Sequence, residues 1–192
     1  MNFILKVEVE ETLKKRILLI GAILFLLIGG GIWVNSNRGE TTAEGAIVKA
    51  GRTGKVIYQE NVNDGVVVFI KRLTGNTTTY DASYIKKSLL GWKWVWGGEF
   101  SGCSGQYFQQ VSGTPFPMLF GDINNEKIAG VKLTDSEHKN PINAKIVGNN
   151  DDRIWFAFVK TSDGPVFKIN ELSSLGKVLD SKSLDIRTST TF

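Results

Sequence analysis

The chain has 192 residues, 42% hydrophobic and 22% charged, with 23 Lys and Arg against 19 Asp and Glu for a formal charge of +4. This excludes a disordered or repetitive chain. The lone Cys103 excludes an internal disulfide framework. Basic and acidic residues are interleaved and no run reaches five like charges, so the small excess reads as a mixed solvated surface and no nucleic-acid partner is expected.

The apolar residues are unevenly distributed. Residues 1–16 form a short tail with Lys6, Lys14, Lys15 and Arg16. Residues 17–34 (ILLIGAILFLLIGGGIWV) carry no charge. At about 1.5 Å per residue such a helix reaches ~27 Å, the thickness of a bilayer's hydrocarbon core. Trp33 sits at its outer end, where indoles favour the headgroup zone. Lys14-Lys15-Arg16 at the inner end points to a cytoplasmic N-terminus and an extracytoplasmic remainder. The alternative is a cleaved signal peptide, which would secrete the domain. The apolar run is longer than a signal's core, and Val34-Asn35-Ser36 is a poor cleavage site. An uncleaved signal-anchor, single-pass in the cell membrane, is the favoured expectation.

Residues 35–54 are rich in Asn, Thr and Gly. They read as a tether, with a short strand expected at Ala46–Ala50. Residues 55–192 read as one β-rich domain. Gly65–Arg72 (GVVVFIKR) and Arg153–Thr161 (RIWFAFVKT) are short apolar runs suited to central strands. Lys55–Glu60, Thr77–Tyr84, Gln106–Val111, Lys127–Leu133, Ala144–Gly148, Pro165–Glu171 and Lys177–Ser181 supply further strands. Thr134–Pro141 is expected as a polar loop, and Ser83–Leu90 and Glu171–Leu175 as sites for a helical turn. The fold class expected is mainly β, an all-β sandwich or open barrel behind one transmembrane helix. An Asn/Asp cluster precedes each of the two apolar runs, at Asn61–Asp64 and Asn149–Asp152. Either the domain has two similar halves, or it repeats hairpins as β domains do.

Trp92, Trp94 and Trp96 alternate with Lys93 and Val95. At a strand's period of two, this puts three indoles on one face. They either fill the core or form an aromatic binding strip that stacks on sugar rings or grips a peptide, where Lys86, Lys87 and Lys93 would meet an anionic wall polymer or headgroup. His138 lies in a polar loop, without a G-x-S-x-G elbow in the sequence, and reads as an exposed loop residue. Cys103, in Ser101–Gly105, has no cationic neighbour to activate its thiol. The two Asn/Asp clusters read as turns rather than calcium loops. No catalytic residue, cofactor or metal is expected.

Three stretches carry a resemblance: YIKKSLLGWKWVWGG at 84–98, LFGDINNEKIAGVKL at 119–133 and NAKIVGNNDDRIWFAF at 143–158. They resemble segments of small membrane-anchored or secreted β-rich proteins of Gram-positive spore-forming bacteria, over roughly Glu60 to Asp180. The resemblance implies a bacterial cell-envelope setting and brings no activity with it. The function expected is therefore a membrane-anchored extracytoplasmic binding or interaction module, its ligand a wall polymer or another envelope protein. The alternatives are an accessory subunit of a membrane complex, or a hydrolase using Cys103 or His138.

Overall fold

A computed structural model describes residues 2–75, 77–100, 105–137, 141–149 and 152–188. The chain divides into two compact units, Met1–Gly39 with Leu89–Gly91 and Glu40–Ser88 with Trp92–Phe192.

In the first unit, helix α1 runs from Asn2 to Asn37. The uncharged stretch Leu18–Ser36 within it is long and apolar enough to cross a membrane. This shifts the expected 17–34 segment by one or two residues. Leu19, Phe25, Leu26 and Ile32 all stand exposed. Past the helix, the Gly39 N–H donates to the Leu90 carbonyl at 2.7 Å.

The second unit opens on a short helix. The short strand expected at Ala46–Ala50 is instead helix α2, Ala43–Lys49. Thr42 caps it, its Oγ1 accepting the Gly45 N–H at 3.0 Å. Ala43, Ala46 and Ile47, at helical spacing, are buried together. Strand propensity at Ile47-Val48 yields to that shared apolar face.

Twelve strands follow among the described residues, in three antiparallel sheets. The first sheet is a meander of β1 (Lys55–Val62), β2 (Gly65–Thr74), β3 (Thr77–Ser88) and β4 (Gly91–Phe100). Glu40 and Trp92 form a further isolated antiparallel bridge. The second sheet, in the order β5-β6-β10-β9, contains β5 (Gln106–Phe108), β6 (Met118–Asp122), β9 (Lys145–Val147) and β10 (Ile154–Phe158). The third, in the order β12-β11-β7-β8, contains β7 (Gly130–Asp135), β8 (Pro141–Asn143), β11 (Val166–Leu172) and β12 (Val178–Asp185). After the meander, successive strand pairs alternate between the second and third sheets. The expected helical turns at 83–90 and 171–175 do not form. β3 continues to Ser88 and β11 to Leu172, because pairing with neighbours satisfies their backbone.

Burial patterns set the packing. Val66, Val68, Ile70 and Ile85 pack against α2. Val67, Phe69, Tyr80, Ala82 and Tyr84, from the opposite face of the same sheet, pack against Met118, Phe120, Ile154 and Phe156 of the second. Ring contacts cross this boundary at 4.8 Å for Phe69–Phe156 and 4.3 Å for Phe100–Phe120. The reverse face of the second sheet presents Leu119, Trp155 and Ala157 to Val131, Leu133, Phe167 and Ile169 of the third. Strands buried on both faces favour near-continuous apolar runs. That is why VVVFI in β2 and IWFAF in β10 break the alternation of a half-solvated strand. Trp155 pairs directly with Gly121, where an added Cβ would stand 2.8 Å from the indole Nε1. Glycine there makes room for the largest side chain of this core.

Candidate functional site

The tryptophan row does not lie on one face. Trp92 packs with the cluster against α2, while Trp96 packs with the cluster between the first and second sheets. Trp94 donates from Nε1 to Ser83 Oγ at 3.1 Å. Ser83 alternates with Ala82 and Tyr84 of the second cluster and shares its face with Ile85 of the first. So Trp92 and Trp94 share one face and Trp96 takes the other. Strict alternation along β4 is therefore broken between Trp94 and Trp96.

The environments of the three indoles differ accordingly. Trp96 makes edge contacts with Phe108 at 4.9 Å and Phe116 at 5.1 Å, so it is a core-wall residue. Trp92 and Trp94 are half-buried, and each carries a cation over its ring. Lys87 Nζ is 5.4 Å from Trp92, and Arg52 Cζ is 5.4 Å from Trp94. A sugar stacking on either covered face must displace that cation. Lys93 is exposed.

Arg52 belongs to a polar array along β2, β3 and β4. Asp81 is fully buried. It accepts from Arg52 Nη1 at 2.5 Å, Arg72 Nη2 at 3.4 Å and Ser83 Oγ at 2.6 Å. Glu99 at the rim pairs with Arg72 and, at 3.3 Å, with Arg52. Among the described residues, the buried Arg72 Nε has no hydrogen-bond partner. The array runs Trp94 to Ser83 to Asp81, with Asp81 held by two guanidiniums. Through Arg72, Asp81 and Glu99 these charge-assisted bonds tie β2, β3 and β4 together.

The two Asn/Asp clusters have different roles. Asp152 is buried and pairs with Lys55 and, at 2.5 Å, with Lys71. The two ammonium groups hold its carboxyl below the ordinary carboxylate range. The Asn61–Asp64 cluster instead borders a cleft of about 680 Å³, lined by Glu60, Asn61, Asn63, Asp64, Lys86, Thr114 and Phe158 among others. Here the β1–β2 hairpin turns through Asn63-Asp64, with Val62 paired to Gly65. Gly65 is required: an added Cβ would lie 2.2 Å from the Ile85 carbonyl oxygen.

The charges of this cleft are organised by neighbours. Asp64 pairs with Lys86 at 2.7 Å and accepts from the Tyr84 hydroxyl. Those bonds keep Asp64 ionised below the usual range, while burial and the Asp64 carboxylate push the Tyr84 phenol up. Burial acts to raise Glu60, but Lys145 and the Tyr58 hydroxyl, each at hydrogen-bond distances of 2.7 and 2.8 Å, bring it below its ordinary value. Asn61 and Asn63 are exposed at the rim, and the half-buried Phe158 ring contributes an apolar surface. The cleft therefore combines fixed carboxylates, an ammonium group, amides and an aromatic face. Such groups can donate and accept hydrogen bonds and offer a face for stacking. In the sequence the Asn61–Asp64 cluster reads as a turn rather than a calcium loop. No local signal places it beside Thr114 and Phe158, which the sheet packing brings to it.

Cys103 and His138 lie outside the described residues. Among the described residues no group of three or more His, Cys, Asp or Glu side chains is placed to hold a metal ion. Comparison with family models, with curated proteins and with solved structures finds no match to this chain.

Proposed function

We propose that this chain is a single-pass membrane protein, N-terminus inside, whose β-rich extracytoplasmic domain binds a ligand of the cell envelope. The observation that carries the reading is Leu18–Ser36, an uncharged helical stretch with its apolar side chains exposed, preceded by Lys14-Lys15-Arg16. The resemblance to small envelope proteins of Gram-positive spore-forming bacteria agrees with it. The domain is read as a β sandwich, supported by the apolar clusters shared between sheets.

The binding surface proposed is the cleft at the β1–β2 turn. Amides and carboxylates around an aromatic face match a hydroxyl-rich wall polymer, whose hydroxyls take hydrogen bonds and whose ring faces stack. The half-buried Trp92 and Trp94, capped by cations, are a weaker candidate for the same ligand. An enzymatic reading has less support, since Ser83 sits in an ion-paired array and Asp64 and Glu60 are held ionised by their partners.

Two measurements test the proposal. A membrane-impermeant maleimide on intact cells, with the domain opened by mild denaturant, should reach Cys103. Labelling only after lysis overturns the orientation. Full-length protein in lipid nanodiscs should bind soluble wall-glycan fragments, and the double substitution Asn61→Ala/Asn63→Ala should weaken that binding about tenfold, the loss of one or two hydrogen bonds. Unchanged affinity would remove the cleft as the binding surface.

A further inference from the structure

The β3–β4 turn, Leu89–Gly91, groups with α1 in the first unit. A hydrogen bond from the Gly39 N–H to the Leu90 carbonyl, at 2.7 Å, fastens it there. Gly39 is three residues beyond Ser36, so an extended chain places it no more than about 10 Å from the end of the apolar stretch. The headgroup region of a bilayer occupies a layer of about that depth or somewhat less on each side. Leu89 leaves its whole side chain exposed, more fully than any other large hydrophobic residue described. A leucine at the tip of a turn in water gains nothing, whereas beside a bilayer it has an apolar phase within reach.

The flanking residues agree in character. Lys87 and Lys93 each lie two residues from the turn and are exposed, so chain length alone keeps them near it. Lys86 is engaged by Asp64 and is not counted. Trp92, adjoining the turn, is half-buried with Lys87 over its ring. A leucine tip, an indole and two ammonium groups make an interfacial set: the apolar group enters, the indole sits at headgroup level, and the lysines meet lipid phosphates.

We infer that the β3–β4 turn is a second membrane contact, with Leu89 inserted into the outer leaflet and Lys87 and Lys93 meeting anionic headgroups. The inference rests on α1 spanning the bilayer.

The test uses full-length protein with Cys103→Ser, reconstituted in nanodiscs of phosphatidylcholine with or without phosphatidylglycerol. An environment-sensitive fluorophore is attached at Leu89→Cys in one preparation and Ile32→Cys in another. Lipid-borne doxyl should quench both probes and aqueous iodide should quench neither strongly. Lys87→Gln and Lys93→Gln should each shift the Leu89 probe toward iodide about fivefold in anionic discs, with no shift in neutral discs. A Leu89 probe quenched by iodide while the Ile32 probe responds to doxyl overturns this inference alone. An Ile32 probe quenched by iodide overturns the spanning helix, and with it this inference. A Leu89 response to doxyl that ignores both lysine substitutions in anionic discs overturns the headgroup contact.

Discussion

Replacing Asp81 by Ala should be among the most damaging single changes in the β domain that leave its apolar core intact. The carboxylate is fully buried and takes three donors: Arg52, Arg72 and Ser83. Removing one member of a buried ion pair costs roughly 3–5 kcal/mol, because the partner's charge stays behind uncompensated. The guanidinium side chains of Arg52 and Arg72 are 22% and 21% exposed, and both also reach Glu99. They recover part of the loss, so the lower end, about 3 kcal/mol, is expected. For a chain of this size that is a fall of about 10 °C in Tm. Glu99→Ala is the internal control. It touches the same two arginines, but its side chain is 46% exposed. Water screens it, and its removal should cost under about 1 kcal/mol. The assay is urea denaturation of the full-length protein in detergent micelles, followed by near-ultraviolet circular dichroism of the tryptophans. An Arg52→Ala cycle should give a larger coupling with Asp81 than with Glu99. Equal costs for Asp81→Ala and Glu99→Ala would refute the claim that burial gives this array its strength.

Gly121→Ala drives a methyl against the Trp155 indole and should cost about 1–3 kcal/mol, read in the same denaturation assay. The carboxyl of Asp152 is held below its ordinary 3.8 by Lys55 and Lys71. Its contribution is therefore complete above that value and lost as pH falls through the lower folded value. Asp152→Asn should lower Tm at neutral pH and flatten the acid limb of a Tm–pH profile. Glu171 behaves in the opposite sense: burial, together with Asp180 and Asp122, raises its carboxyl despite Lys182. Its charged form is the disfavoured one in the folded state, so stability is present below the ordinary value and declines as pH rises through the raised one. Glu171→Gln should remove that decline, matching or exceeding the wild type at pH 7 in the same profile.

Much of the architecture was legible from local chemistry. VVVFI and IWFAF announce central strands because only a strand covered on both faces tolerates an unbroken apolar run. The long apolar helix was legible because its length and apolarity are written in its own composition. Other features were not legible. β6 (Met118–Asp122) is one of the most buried strands, yet the proline-containing stretch before it masks its start. The helix at Ala43–Lys49 looked like tether, since an amphipathic seven-residue helix has little stability until its apolar face meets a sheet.

By itself the sequence determined what depends on neighbours along the chain: an uncharged helical stretch with a basic flank, a β-rich remainder, and hairpin turns at Asn/Asp/Gly clusters. Tertiary structure decided what depends on residues distant in sequence. It split the tryptophan row, setting Trp92 in the cluster against α2 and Trp96 in the cluster between the first and second sheets. It joined Asp152 to Lys55 and Lys71, across separations of 97 and 81 residues. It also set the Asn61–Asp64 turn beside Thr114 and Phe158 to make a cleft. Periodicity reports which way a side chain points along its own strand. Which residues it meets there is settled only when the sheets pack.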